Sequence, residues 1–401
     1  MSRSSHSVAI TAAGIVSPLG RGLDATGKSL RIGRDCITPV TEFDVGKCRA
    51  KTAGKVAESE IAAGADRKSR RLHRSSRMMI AAAQELFAGD RDFKPELAVI
   101  GTTSGGMSFG EAFYRSTIGE KNGGRKNYAR WLANYSPQKP VLDAMEAVGF
   151  PAPAQIIANA CASGTNAIGH GFQLIRDGLC ERVLCGGYDA ISEMVFVGFD
   201  SLQASTPEKC RPFDRERTGL VLGEGAALVA LENWEAARKR NAPILGRITG
   251  YGISTDNHHL TQPHPSGIGP QQAMERALAS AQRSGTDADY INAHGTATLF
   301  NDATEGIAIS NLCPGVPVSS TKSMMGHSLG AAGAIEAVFC LLAIRDQFLP
   351  PNINFRDADP VWTFDLVANQ ARDAEVNCVL SNSFGFGGTN ATIVLERDVR
   401  R

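Results

Sequence analysis

Apolar residues follow two rhythms along this chain, and the two alternate from one end to the other. Short β-branched runs at 7–11, 97–101, 155–158, 182–185, 316–319 and 389–395 predict strands. Ala/Leu-rich stretches at 70–86, 165–176, 270–283 and 331–345 predict helices between them. Such alternation predicts an α/β protein. No Ser/Gly/Pro-rich tether breaks it, so its parts are expected to pack together. The pattern also repeats: Gly164 opens a helix reaching Ile175-Arg176-Asp177, and Gly333 opens one reaching Ile344-Arg345-Asp346. A strand comes just upstream in both cases, which suggests two related halves, taken here as 1–240 and 241–401.

Length agrees with that division, since 401 residues exceed one ordinary core. Apolar residues make up 43% and charged ones 21%, the balance of a globular protein and not of a disordered one. Lys plus Arg number 42 against 41 Asp plus Glu, so no overall field would gather nucleic acid or membrane. No apolar run approaches the ~20 residues of a membrane span. The first segment is broken by Gly14 and Pro18 and reads as a strand into a turn, not a secretory core. Nine cysteines without a secretion signal predict a reducing cytoplasm, with most of them serving as small core hydrophobes.

One segment tempts a different reading. Residues 22–29, Gly-Leu-Asp-Ala-Thr-Gly-Lys-Ser, match the phosphate-binding pattern letter for letter. A P-loop must leave a strand directly, so that its amides wrap phosphate before the helix begins. Here the expected strand ends near Thr11, with Pro18 and Gly20 in between. Turn and capping chemistry is the preferred reading, and a nucleotide-binding protein is the alternative.

The chemistry concentrates elsewhere. Ile156-Ile-Ala-Asn-Ala-Cys161-Ala-Ser-Gly164 runs from a strand straight into a helix of small residues. A cysteine there meets the positive helix end, which favours thiolate and predicts a pKa lowered toward neutrality. His294, in Asn292-Ala-His-Gly-Thr-Ala-Thr298, and His327, in Gly326-His-Ser-Leu-Gly330, each follow a strand and adjoin glycine. Two neutral imidazoles can donate two N–H groups to an enolate oxygen without a metal. Lys322 would supply a fixed charge beside them. Asn382-Ser-Phe-Gly-Phe386-Gly-Gly-Thr-Asn390 is a glycine-rich turn whose amides could receive an acyl carbonyl oxygen. A Cys-His protease dyad would leave the second histidine and Lys322 unexplained. Cys180 and Cys185 lack a second pair for zinc, and metal binding by His258, His259 and His264 is a minor alternative.

These motifs, with Arg211-Pro-Phe-Asp-Arg-Glu-Arg-Thr-Gly219 and Thr321-Lys-Ser-Met-Met-Gly-His-Ser-Leu-Gly330, closely resemble the elongating β-ketoacyl-acyl-carrier-protein synthases and polyketide ketosynthases. The resemblance implies a thiolase-type five-layer αβαβα fold of two duplicated halves. It implies decarboxylative condensation of an acyl group on Cys161 with a malonyl carrier protein, in fatty acid or polyketide/polyene synthesis. It implies an oxyanion hole from the N–H groups of Cys161 and Phe386, with Phe386 also gating. His294 and His327 would take the decarboxylation, Lys322 and Glu336 would support them, and Thr296 and Thr298 would contact the phosphopantetheine arm. That arm arrives on the acyl carrier protein, and no metal or dissociable redox cofactor is implied. The likeness further implies a homodimer, or a heterodimer with a second synthase-like chain, whose silent member would be the alternative identity.

Two features depart from the family or stand out locally. Leu299-Phe-Asn-Asp302 replaces the usual Pro-x-Gly-Asp, and Ser104 stands where synthase II lines its acyl pocket with a bulky aliphatic residue. The densest basic run includes Arg67, Lys68, Arg70, Arg71 and Arg74; on a helix Arg67, Arg70, Arg71 and Arg74 would share one face, and the run suggests docking of the acidic carrier.

Overall fold

The computed structural model describes residues 7–62, 71–118, 129–359 and 362–398. Five strands of the first half are β1 (Val8–Ser17), β2 (Leu97–Gly101), β3 (Ala154–Ile157), β4 (Arg182–Asp189) and β5 (Gly225–Asn233). Five of the second are β6 (Gly246–Thr255), β7 (Tyr290–Asn292), β8 (Pro317–Ser319), β9 (Cys378–Gly385) and β10 (Thr389–Glu396).

The first set runs β3-β2-β4-β5-β1 and the second β8-β7-β9-β10-β6. Counted within each half, both read third, second, fourth, fifth, first. Directions agree as well: the first three strands of each order are parallel, and the last two pair antiparallel. Only a short antiparallel ladder, Val8–Ile10 against Gly246–Ile248, joins the two sets. The halves are duplicates in topology.

Helices α1 (Arg74–Gly89) and α2 (Lys139–Val148) cover the outer face of the first sheet, burying Met78, Met79 and Val141. Helices α4 (Ile268–Ala281) and α5 (Leu299–Leu312) cover the second, burying Met274, Leu278 and Ile309. Between the sheets lie α3 (Ser163–Arg176) and α6 (Ala332–Asp346). Because both sheets press on α6, every residue from Ala332 to Ile344 is buried, and no polar face is left. Five layers result, helix–sheet–helix–sheet–helix, the thiolase-type fold.

The two repeated glycines meet at the centre. A Cβ on Gly164 would lie 2.8 Å from the Ala334 nitrogen, and one on Gly333 would lie 2.9 Å from the Thr165 nitrogen. Each glycine thus faces the residue after the other, as a two-fold relation demands.

Three expectations change. Strand β1 continues to Ser17, since all ten of its positions are buried. Helix α1 starts at Arg74, because His73 Nδ1 accepts the Ser75 N–H at 3.1 Å and caps it there. The phosphate-binding alternative is overturned. The helix Leu23–Arg31 opens on the Glu85 carboxylate, which accepts the N–H groups of Leu23 at 2.6 Å and Ile15 at 2.8 Å. Lys28 faces solvent. The place a phosphate would take is filled by a side chain of the fold itself.

Candidate active site

Cys161 lies in a single 3-10 turn, Ala160–Ala162, that joins β3 to α3. The turn is sharp enough to hold Ala160 at φ 56°, a left-handed conformation costly for any residue with a Cβ. His294 is separated from the end of β7 by one residue, and its backbone N–H and that of Gly295 both donate to the Glu305 carboxylate at 2.8 Å. His327 is pinned from the other half: its N–H donates to the Val221 carbonyl at 2.7 Å, and its carbonyl accepts from Gly223 at 2.8 Å. Strand ends from both halves therefore converge. A cavity of ≈ 200 Å³ is lined by Cys161, His294, His327, Thr296, Thr298 and Phe386, among others.

The histidine rings stand edge to face, with centroids 5.2 Å apart. Burial, and the Lys322 charge behind them, hold both pKa values well below 6.5, so the imidazoles are neutral at pH 7. Nδ1 of His294 and both ring nitrogens of His327 are buried without a hydrogen-bond partner. Unpaired buried polar atoms are costly, and here they cluster on the wall of a cavity that a ligand can enter. Lys322 is itself 2% exposed and ion-paired to Glu336, whose carboxyl is pushed up to about 7 by burial against the pull of Lys322.

The cysteine departs from the reading of its sequence. Burial pushes the Cys161 thiol up to about 12, outweighing Lys322 and the N–H groups of Phe386 and Cys161 itself. A helix mouth contributes at most ~2 kcal/mol, about 1.5 in pKa, too little to reverse this. The resting group is a thiol.

Thr296 and Thr298 hydroxyls lie 2.9 Å apart on the cavity wall. Phe386 stacks on Phe199 with centroids 5.6 Å apart, and sequence reasoning had missed Phe199, one of two phenylalanines on the apolar helix Glu193–Ser201. Glu305 was missed too, although a carboxylate one helical turn after Asp302 on a buried helix face is a signal. Asn301, in the segment that departs from the family, reaches Asp302 at 3.1 Å and Glu305 at 3.4 Å. Ser104 does not join the cavity wall. Its N–H and hydroxyl donate to Asp189 at 2.8 and 2.7 Å.

The basic run needs correction. Arg67, Lys68 and Arg70 lie outside the described residues, and Arg71 precedes α1, so it shares no helical face with Arg74. Arg74 instead holds the buried Glu224 carboxylate at 2.6 to 3.0 Å, with Glu58 on its other side. His258 and His264 rings meet edge to face with centroids 5.0 Å apart, and among the described residues no three metal-ligating side chains gather.

A thiol and two neutral imidazoles at the junction of duplicated thiolase-type halves define a condensing enzyme. Family models agree: residues 5–237 match the N-terminal domain of β-ketoacyl synthase and 245–356 the C-terminal domain. The chain belongs to the β-ketoacyl synthase family, whose members are acyltransferases. It is 34% identical to 3-oxoacyl-[acyl-carrier-protein] synthase 2 of Synechocystis, covering 97% of this chain and 98% of that one. It is also 34% identical to the tetracenomycin polyketide synthase ketoacyl synthase alpha subunit of Streptomyces glaucescens, covering 97% of each. Among solved structures, the ishigamide ketosynthase/chain length factor superposes with a TM-score of 0.90 at 33% identity, over 98% of this chain and 100% of that one.

Proposed function

We propose that Cys161 carries the acyl group and that His294 and His327 drive decarboxylation of a malonyl group delivered on acyl carrier protein. The observation that carries this is the enclosure in a single cavity of one thiol and two neutral imidazoles that keep buried ring nitrogens unpaired. Cys161 sulfur attacks the carbonyl carbon of an incoming acyl thioester, and the N–H groups of Cys161 and Phe386 receive the negative oxygen. Because the resting group is a thiol, its proton must leave as the bond forms, and the imidazoles on the same wall are acceptors at hand. The carrier departs as its free thiol.

Malonyl thioester then enters past Phe386 and Phe199, with Thr296 and Thr298 along the pantetheine arm. Loss of carbon dioxide puts negative charge on the thioester oxygen, which the two imidazole N–H groups face. Burial and the Lys322 charge keep those rings uncharged, and Glu336 holds Lys322. The enolate carbon attacks the acyl carbonyl on Cys161, and the carbon–sulfur bond breaks with its electron pair going to sulfur. The Cys161 thiolate takes a proton from solvent to return to the resting thiol, and a β-ketoacyl chain leaves on the carrier.

Arg71, exposed ahead of α1, is our choice for carrier docking together with the basic run before it. For the second chain of a dimer we choose the edge strand β3 and the helix Met107–Ile118, which buries no residue and exposes Tyr114 and Ile118. An uncovered sheet edge beside apolar side chains is a liability unless a partner sits on it. The partner is a second copy or, as in the ishigamide pair, a chain length factor.

Incubation with acyl- and malonyl-carrier thioesters, followed by mass measurement of the Cys161 peptide, tests the core of this reading. An adduct on Cys161, lost in Cys161→Ala, together with a β-ketoacyl product is expected. An intact enzyme that never acylates Cys161 is a silent partner subunit, and the proposal fails. The length and unsaturation of the product separate fatty acid from polyketide or polyene synthesis.

A further inference from the structure

The oxyanion role given to the Cys161 N–H depends on where that N–H points, and the peptide before it is held by groups with no assigned part in the reaction. A trans peptide is planar, so its carbonyl and its N–H point in opposite directions, and fixing one aims the other. The carbonyl of Ala160 accepts the Ser163 backbone N–H, which closes the turn, and two hydroxyls besides: Ser163 Oγ at 2.6 Å and Thr103 Oγ1 at 3.2 Å. Ser163 Oγ also accepts the Asn159 N–H at 3.0 Å, which fixes the hydroxyl itself. On the N–H side the approach is left open by Gly385, where a Cβ would lie 3.1 Å from the Cys161 nitrogen.

Thr103 is on an exposed turn, yet that turn is firmly anchored. Asp189, the last residue of β4 and wholly buried, accepts the Thr103 N–H at 2.8 Å and the Thr102 hydroxyl at 2.8 Å, besides both groups of Ser104. It also accepts the Gly330 N–H at 2.7 Å. Gly330 is the two-fold counterpart of Cys161: each follows a left-handed residue, Ala160 at φ 56° or Leu329 at φ 55°, and each stands three residues before a crossing glycine, Gly164 or Gly333. In the second half, then, the elbow N–H already grips a carboxyl oxygen, supplied by the protein. In the first half the matching N–H faces the reaction cavity.

We propose that Thr103 and Ser163 are positioning residues whose hydroxyls clamp the Ala160 carbonyl and so aim the Cys161 N–H at the acyl oxygen, with Asp189 fixing the turn that carries Thr103. The strained left-handed Ala160 makes the clamp necessary, since relaxation of that residue would rotate the peptide plane. This inference rests on the reading that Cys161 takes the acyl group. It concerns acyl loading and not malonyl decarboxylation, whose enolate oxygen faces the histidines.

The test compares, in the full-length enzyme, the rate of acyl transfer from carrier thioester to Cys161 with the rate of malonyl-carrier decarboxylation. Losing a whole oxyanion donor costs about 100- to 1000-fold, so Thr103→Val, which only loosens one, is expected to slow loading about tenfold. Decarboxylation should change far less, and Thr103→Ser should restore loading. Ser163→Ala should act in the same direction. If it fails to fold, the Thr103 pair still decides. Equal loading by Thr103→Val and wild type overturns the proposal, as does a parallel fall in both rates, which would mark a merely structural threonine. Wild-type enzyme that never acylates Cys161 would instead refute the underlying reading.

Discussion

At the scale of single residues, the site is built on buried groups whose protonation is set by the fold. Lys322 lies behind both imidazoles and lowers their pKa values together with burial. Wild-type malonyl decarboxylation should therefore stay level as pH falls through 6.5, the ordinary histidine value. Removing the charge in Lys322→Ala lets both values rise, so an acid limb should move up toward 6.5 in the variant's pH profile. A wild-type inflection already at 6.5 would refute neutral rings held by desolvation. Arg74 supports a second expectation. Arg74→Ala leaves the buried Glu224 carboxylate without its guanidinium, and stranding one member of a buried pair costs about 3–5 kcal/mol. A melting temperature equal to wild type would contradict this; loading by the folded fraction should be retained. Cys161, His294 and His327 were legible because each stands beside glycine or alanine in the segment that follows a strand. The height of the thiol's pKa was not, since desolvation depends on neighbours far away in sequence.

At the scale of elements, two helices carry the argument. The Gly164 and Gly333 echo, visible in the chain as a spacing, becomes the crossing point of α3 and α6. A Cβ at Gly333 would lie 1.9 Å from Thr165 Oγ1, so Gly333→Ala must push the helices apart. Overpacking of this kind costs about 1–3 kcal/mol or more, and because the same helices carry the Cys161 turn, acyl loading should fall as well. Thermal melting and adduct formation measure the two effects; an unshifted melt would mean that the helices yield freely. Element boundaries were less legible. The run reads as helix through Arg71, but His73 starts α1 at Arg74, and that shift takes Arg71 off the helical face expected to hold it beside Arg74. The phosphate-loop match failed for a related reason: nothing local announces that Glu85, 62 residues away, supplies the anion at the N-terminus of the helix after Gly22.

At the scale of the whole molecule, the two halves share strand order and strand direction, joined by a short ladder. The exposed edge at β3 and the apolar helix Met107–Ile118 lead us to expect a dimer in solution. Sedimentation should show two chains per particle at wild type and one in Tyr114→Asp/Ile118→Asp; a wild-type monomer that is fully active would remove the interface. What the chain determined by itself was everything that works locally: alternating strand and helix periods, the glycine spacing, and a cysteine and two histidines in segments that follow strands, because these follow from backbone sterics and short-range pattern. Tertiary structure decided which groups share a dry cavity, which charges neutralise one another, and where the thiol titrates. Those depend on water being excluded by residues hundreds of positions apart, and desolvation has no signature in any one segment.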